Sequence, residues 1–373
     1  MKNISVLAAL TAALCLYVTQ AADAAEATPD MQALIKAAQA EGQLELILSG
    51  QVPQKLSVLM PDFEKQYGVR VNFQTGSGSA HAQRILAERR VGRYTIDAWL
   101  GGDSTALTQL IPNKVLASIP ELLIDPEVTD LSKWYKGRHY YTDPDQRYVF
   151  VFGAQPIHVV SFNTKLVDPG EIRSYRDLLD PKWKGKMVSW NPAAQGAGAS
   201  AVGMYLHPRI GEEWFKRWAS EMNVTMVGDA RQGAEWLALG RFHLGIFGVA
   251  TQAETMRSEG FPVQGYLPHA MSEGEILTVS ATNIMVMDRA RNPKAAQLFV
   301  NWLLTRDVQQ KLITIAQRAD SLRTDVDSSI LEPAYRRKSD ADYFVPFVEP
   351  RYQNEQSAIF KRIGDILKDA GYR

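Results

Sequence analysis

Residues 44–104 read LELILSGQVPQKLSVLMPDFEKQYGVRVNFQTGSGSAHAQRILAERRVGRYTIDAWLGGDS. Leu44-Glu45-Leu46-Ile47-Leu48 reads as a strand, ended by Ser49-Gly50. Residues 52–67 are amphipathic, with Leu56, Leu59, Met60 and Phe63 on one helical face; Pro61 predicts a kink or break, and Gly68 a stop. Val69 to Phe73 alternates as a second strand. Thr75-Gly76-Ser77-Gly78-Ser79 then leads into a helix reaching about Val91. Ile96 to Leu100 reads as a third strand, closed by Gly101-Gly102-Asp103-Ser104 at the start of another helix. Strands alternating with helices imply a parallel sheet. Ligands of such sheets sit beyond the carboxyl ends of the strands, at the helix N-termini. Ser49, Gly50, Ser77, Gly78, Ser79, Gly102, Asp103 and Ser104 are therefore candidate ligand contacts, with Ser79 and Ser104 also suited to plain helix capping.

A second αβ region repeats the logic. Residues 177–203 read DLLDPKWKGKMVSWNPAAQGAGASAVG. A strand over Lys186–Trp190 is broken by Asn191-Pro192, and a glycine-rich turn precedes a helix to about Leu206. A strand feeding such a turn and a helix start leaves N–H groups pointing outward, fit for an anionic or polar ligand. Asn191, Gln195, Gly196, Ala197 and Gly198 are candidates here. Val224–Val227 and His243–Val249 read as strands, and Ala230–Leu239 as a helix closed by Gly240. Arg231, Gly248 and Thr251 at the following helix starts complete the candidate set, Arg231 as a bidentate partner for an anion. Trp99, Trp190 and Phe247 read as core residues first and as stacking surfaces second. Tyr148–Asn163 is a long β-rich stretch leaving the first region, and Thr278–Met287 a strand returning to it. Helices are predicted over 293–305, 306–316 and 353–370.

The N-terminus, MKNISVLAALTAALCLYVTQAADAAEA, has a lysine, a short apolar run and a small-x-small site at Ala22-Asp23-Ala24. It reads as a secretory signal peptide over residues 1–24 rather than a membrane span. The single cysteine, Cys15, lies within it. Leu14 is too bulky for a lipid-attachment site, and the mature chain is left without disulfide or thiolate chemistry. Formal net charge is zero, which argues against nucleic acid as a partner. Arg84, Glu88, Arg89, Arg90 and Arg93 read as a solvated helix face. The six histidines show no metal-binding frame, and no nucleophile elbow or phosphate-binding loop is present. Asp97 and Asp103, one in a strand and one at a helix start, do not form a general acid–base pair. Enzyme chemistry is not expected.

Several strings carry a resemblance. Residues 75–107, Ser161-Phe162-Asn163-Thr164-Lys165 with residues 166–188, residues 292–312 (NPKAAQLFVNWLLTRDVQQKL) and Leu322-Arg323-Thr324-Asp325-Val326 occur in an order and spacing similar to the periplasmic solute-binding proteins of ABC importers, the class that includes ferric-iron-binding proteins. The resemblance spans essentially the whole mature chain. It implies an α/β, two-lobed periplasmic-binding-protein fold (type 2) that closes on a ligand by a hinge. It implies residues 28–160 plus about 278–320 as one lobe, 161–277 as the other, and 321–373 as a C-terminal segment packed on both. It also implies a periplasmic monomer with a small-molecule ligand, an ABC permease as partner and no cofactor. Iron-binding members place two adjacent tyrosines after the strand that here reads LGIFGV. This chain has Gly248-Val249-Ala250-Thr251 there, so the expected solute is an organic acid, phosphonate or sugar phosphate; the alternatives are a ligand-sensing protein feeding a membrane receptor, or ferric iron at a non-tyrosine site.

Overall fold

The computed structural model describes residues 27–193, 198–279, 282–317, 319–338 and 341–372. The predicted signal peptide and the turn residues Gln195, Gly196 and Ala197 lie outside the described residues.

Helix α1 (Pro29–Glu41) is capped by the Thr28 side chain and ends at Gly42, φ 75°. Strand β1 (Gln43–Leu48) follows. The helix predicted over 52–67 is three pieces: α2 (Gln51–Lys55), a 3-10 turn (Leu56–Leu59) and α3 (Met60–Tyr67). Pro61 falls in the first turn of α3, where its missing N–H would have had no intrahelical partner. Gly68 stops α3 at φ 70°. β2 (Arg70–Thr75) and β3 (Ala98–Leu100) pair parallel with the two sides of β1, and α4 (Gly78–Arg90) connects them. Ser77 and Gly102, rather than Ser79 and Ser104, hold the N-cap positions of α4 and the single turn α5 (Asp103–Thr105). On α4 the basic cluster is not wholly solvated. Arg89, 13% exposed, reaches Asp288 at 2.5 Å, and Arg84 has buried guanidinium nitrogens.

The short α6 (Pro126–Thr129) precedes β4 (Tyr140–Tyr141) and β5 (Phe150–Val151). The stretch Tyr148–Asn163 is not one strand. It supplies β5 to the first sheet, β6 (Gly153–Ile157) to a third sheet and β7 (Val160–Asn163) to the second. That second sheet adds β8 (Met187–Trp190), β9 (Thr225–Val227), β10 (Leu244–Ile246) and β11 (Val263–Gln264), in the order β11-β7-β10-β8-β9. Its helices are α7 (Gly198–Leu206), α8 (Gly211–Glu221), α9 (Ala230–Ala238) and α10 (Ala250–Ser258). β10 is shorter than predicted because Phe247 and Gly248, at φ 46° and 69°, turn the chain into α10.

The predicted strand Thr278–Met287 also divides. β12 (Glu275–Thr278) pairs with β6, whereas β13 (Asn283–Val286) enters the first sheet, antiparallel to β3. The first sheet is ordered β2-β1-β3-β13-β5-β4. Helices α11 (Pro293–Leu304) and α12 (Arg306–Ala316) lead to β14 (Asp320–Ser321) and β15 (Tyr343–Phe344). These complete the third sheet, β14-β6-β12-β15. The chain ends in α13 (Pro350–Asp369), which packs on α7 and α8. Aromatic stacks fix each half: Phe63 meets Phe299 edge-on at 5.3 Å, and Trp218 meets Phe247 at 5.0 Å. Two mixed α/β lobes joined by strands that cross between them are the architecture expected from the sequence.

Candidate functional site

The helix starts of the second lobe meet the crossing strands around a cavity of about 520 Å³. Ala199 and Ser200 of α7, Ala230 of α9, and Ala250, Thr251 and Gln252 of α10 line one side. No side chain caps α10, so its first-turn N–H groups supply the polarity there. Asp229 caps α9 by accepting from the Gln232 N–H at 2.9 Å. Gln155 of β6, Thr278 of β12 and Thr282 line the crossing-strand wall. Val52 of α2, one short turn after β1, also lines it, and Trp190, at the end of β8, offers a ring face. The Trp190 Nε1–H donates to Gly228 O at 3.1 Å, which fixes the ring's orientation. A neighbouring cavity of about 430 Å³ shares Val52, Thr251, Glu254 and Tyr335, and adds Lys55 and Arg257.

The larger cavity is close to neutral. Its ionisable lining side chains, among the described residues, are His158, Glu254 and Tyr335. Burial lowers His158 to about 4, with the Lys338 charge acting in the same direction, so the imidazole is uncharged at neutral pH. His158 Nε2 lies 2.6 Å from Ala334 O, which makes Nε2 the protonated nitrogen and pins the segment leading into Tyr335. The Glu254 carboxylate accepts from Arg257 Nε at 2.8 Å and from the Gly265 N–H at 2.6 Å. Among the described residues no Lys or Arg lines this cavity, so the helix N-termini are what it offers to an anion.

The sequence candidates are distributed unevenly about this cavity. Gly248 and Thr251 line it. Gly198 opens α7, one residue before Ala199. Asn191 Oδ1 accepts from the Ala193 N–H at 2.9 Å, a local turn bond. Arg231 does not reach the cavity: its side chain is 78% exposed and pairs with Glu235 one turn along α9 at 2.8 Å. In the first lobe, Gly50 (φ 94°) begins α2, while Ser77, Ser79 and Ser104 are exposed outside the cavity lining. Gly78 sits against Thr105, and Gly102 (φ 75°) against the Trp99 ring. Burial raises the Asp103 carboxyl above its ordinary value, and Tyr352 at the start of α13 feels its charge. Ser49 is buried at the end of β1. Asp97 is structural: its carboxylate accepts from the Glu45 and Asn292 N–H groups and the Asn292 amide. Gln155, His158, Thr278, Thr282 and Tyr335 are cavity residues that no local sequence signal announced.

Two α/β lobes around an inter-element cavity define the class of two-lobed periplasmic binding proteins. Residues 44–313 match the family described as bacterial extracellular solute-binding protein, and the chain belongs to that family. It is similar to iron uptake protein A1 of Synechocystis, 23% identical over 265 residues, covering 67% of this chain and 68% of that protein. Among solved structures, it resembles the Trichodesmium protein IdiA (FutA) in complex with iron and citrate, at 18% identity and a TM-score of 0.65, covering 89% of this chain and 100% of that one. It also resembles the periplasmic binding protein AfuA of Actinobacillus pleuropneumoniae with exogenous fructose-6-phosphate bound, at 19% identity and a TM-score of 0.55, covering 88% and 99%. At these identities the structural likeness concerns the fold.

Proposed function

We propose that the chain captures a small organic oxyanion between its lobes and delivers it to an ABC permease. It does so as a periplasmic, cofactor-free monomer exported by the signal peptide of residues 1–24. In this reading residues 28–160 with about 278–320 move as one lobe, 161–277 as the other, and residues 321–373 pack on both. The observation that supports it is the meeting of α7, α9 and α10 N-terminal ends at a single cavity of about 520 Å³ whose one lining carboxylate, Glu254, is paired with Arg257. That volume is in the range of small-molecule sites. About half the lining residues are apolar, including Ile157, Pro156 and Trp190, which suits an organic body behind a carboxylate or phosphate head.

Ferric iron is the second reading, favoured by the iron-uptake relative and by the iron- and citrate-bound fold neighbour. Bare ferric iron needs several hard anionic oxygens. The cavity lining offers one carboxylate, held in a salt bridge, and one phenol, Tyr335. Among the described residues no group of three His, Cys, Asp or Glu side chains could hold a metal. Iron would enter this cavity more readily as a chelate that is itself an organic anion.

Ala199→Asp tests the reading. A carboxylate in the first turn suits α7, so the far-UV spectrum should stay unchanged. The same charge in the cavity should weaken organic phosphates and carboxylates by about 100-fold or more, since like charges brought together out of water repel strongly. Thermal-shift and calorimetric titrations with citrate, sugar phosphates, phosphonates, polyamines and ferric citrate would read it. Unimpaired anion binding by the folded variant would refute the oxyanion site. A sensing role would instead show as capture by a receptor ectodomain and not by the permease.

A further inference from the structure

The candidate site does not end at the first cavity. Val52, Thr251, Glu254 and Tyr335 line both it and the neighbouring cavity of about 430 Å³, so a solute seated in the first meets the second at the same side chains. Thr251 is exposed, and the passage along it is open to solvent. The second chamber lies between helices that follow different sheets. α2, after β1 of the first sheet, gives Val52 and Lys55, three residues apart on one helix face. α10, after β10 of the second sheet, gives Thr251, Glu254, Thr255 and Ser258, a spacing that is likewise a single face. Gln317, just past α12, and Glu332 stand on the remaining sides.

Its chemistry differs from that of the first chamber. Among its described lining residues only Val52 and Ala316 are apolar. Arg257 is held by Glu254 at 2.8 Å. The side chains of Lys55, Gln317 and Glu332 have no hydrogen bond or ion pair among the described residues. The Thr255 and Ser258 hydroxyls donate to Thr251 O at 3.2 Å and Thr255 O at 2.6 Å, which leaves their oxygens free to accept. Donors are therefore offered by Lys55 and the Gln317 amide nitrogen. Acceptors are offered by Glu332, the Gln317 amide oxygen and the two hydroxyls. An apolar tail entering here would strip water from these groups and return nothing, which costs affinity. A lone anionic group would suit Lys55 and repel Glu332, and an ammonium group the reverse. Hydroxyls or amides, which both donate and accept, satisfy the whole set.

We propose that this second chamber binds the far end of the solute. The solute is then an elongated organic oxyanion. Its charged head lies at the helix starts of the first chamber, and a chain of hydroxyl or amide groups reaches Lys55, Gln317 and Glu332 in the second. This deepens the oxyanion reading and rests on it.

The test is calorimetric titration with pairs that share a head and differ in length: glycerol 3-phosphate against sorbitol 6-phosphate, and glycerate against gluconate. The native chain should bind the longer member of at least one pair about tenfold tighter or more, the worth of one or two hydrogen bonds. Hexyl phosphate, as long as sorbitol 6-phosphate but without hydroxyls, should gain nothing over glycerol 3-phosphate. Thr255→Trp places a bulky ring at an exposed helix position that lines the second chamber and not the first. It should bring the length preference towards one while leaving the shorter member's affinity unchanged, and Lys55→Met should lower the preference in the same direction. Equal affinities within both pairs in the native chain would overturn the proposal. So would an undiminished preference in both variants, or hexyl phosphate binding as tightly as sorbitol 6-phosphate. Failure of every one of these anions to bind the native chain would instead bring down the oxyanion reading, and this proposal with it.

Discussion

Gly101 shows how much one position decides at the carboxyl edge of the first sheet. Its φ is 82°, which an L side chain rarely adopts, and a Cβ there would lie 2.1 Å from the backbone oxygen of Ser49. Neither the strain nor the clash can be relieved by turning a side chain, because the obstacle is main chain. Gly101→Ala should therefore destabilise the fold by about 3 kcal/mol or more. Gly92→Ala, which has the same sign of φ but open space around it, should cost about 1 kcal/mol. Urea titrations of the two variants would separate steric closure from backbone strain, and equal losses would show that closure contributes nothing. Arg231 illustrates the opposite case. Its charge and its place at a helix start made it a plausible anion partner, but Glu235 lies four residues on. That i, i+4 spacing is the stronger local signal, and it draws the guanidinium along the outer face of α9.

Among the elements, α13 has the largest consequence for a segment so late in the chain. Ile359, Ile363, Ile366 and Leu367 are buried on one stripe, packed over α7 and α8. Ion pairing fixes the register: Arg362 Nη2 meets Glu212 Oε1 at 2.6 Å, and the Tyr372 hydroxyl accepts from the Val224 N–H at 3.0 Å. α7 in turn presents its first turn to the cavity. Ile363→Ala removes a fully buried side chain and should cost about 2–5 kcal/mol. By loosening α7 it should also weaken solute binding. Arg362→Ala, at a partly exposed pair, should cost at most about 1 kcal/mol. A melting series of these variants with and without solute would check the ordering; a neutral Ile363→Ala would mean that α13 is not part of the fold's core. The helix over 353–370, the βα alternation of residues 44–104 and the stop at Gly68 were all legible in the sequence, because each is a local pattern of period or punctuation. The third sheet was not. It joins residues near 155, 276, 320 and 343, and no local period reports which distant short strands pair. Gln155, Thr278 and Tyr335 converge on the cavity only through that pairing, so much of the candidate site stayed hidden while the fold was readable.

For the whole molecule, acid should act first where the crossing strands lie. His158 follows β6 directly, and burial holds it at about 4. His207 packs its ring on Phe344 of β15 at 5.2 Å; burial first, then the Arg209 charge, lowers it to about 4 as well. Both should ionise near 6.5 in the unfolded chain. Between pH 6.5 and 4 these two groups alone let the unfolded state bind up to two more protons than the folded one, and burial lowers His81, His139 and His243 in the same direction. Stability is fully present above 6.5 and falls as pH drops towards 4, by on the order of 1–3 kcal/mol per histidine. Glu212 is governed by a different window. Hydrogen bonds from Arg362 and Lys216 hold it at about 2, so its contribution is intact above the usual carboxylate range and fades only between about 4.5 and 2. Melting temperatures measured from pH 8 to pH 3 should decline in two stages. In a His158→Gln, His207→Gln chain the first stage should flatten by several degrees while the second remains. If the double variant loses stability between pH 6.5 and 4 as steeply as the native chain, the two histidines do not set the acid limit and the crossing strands are not where protons first destabilise the fold.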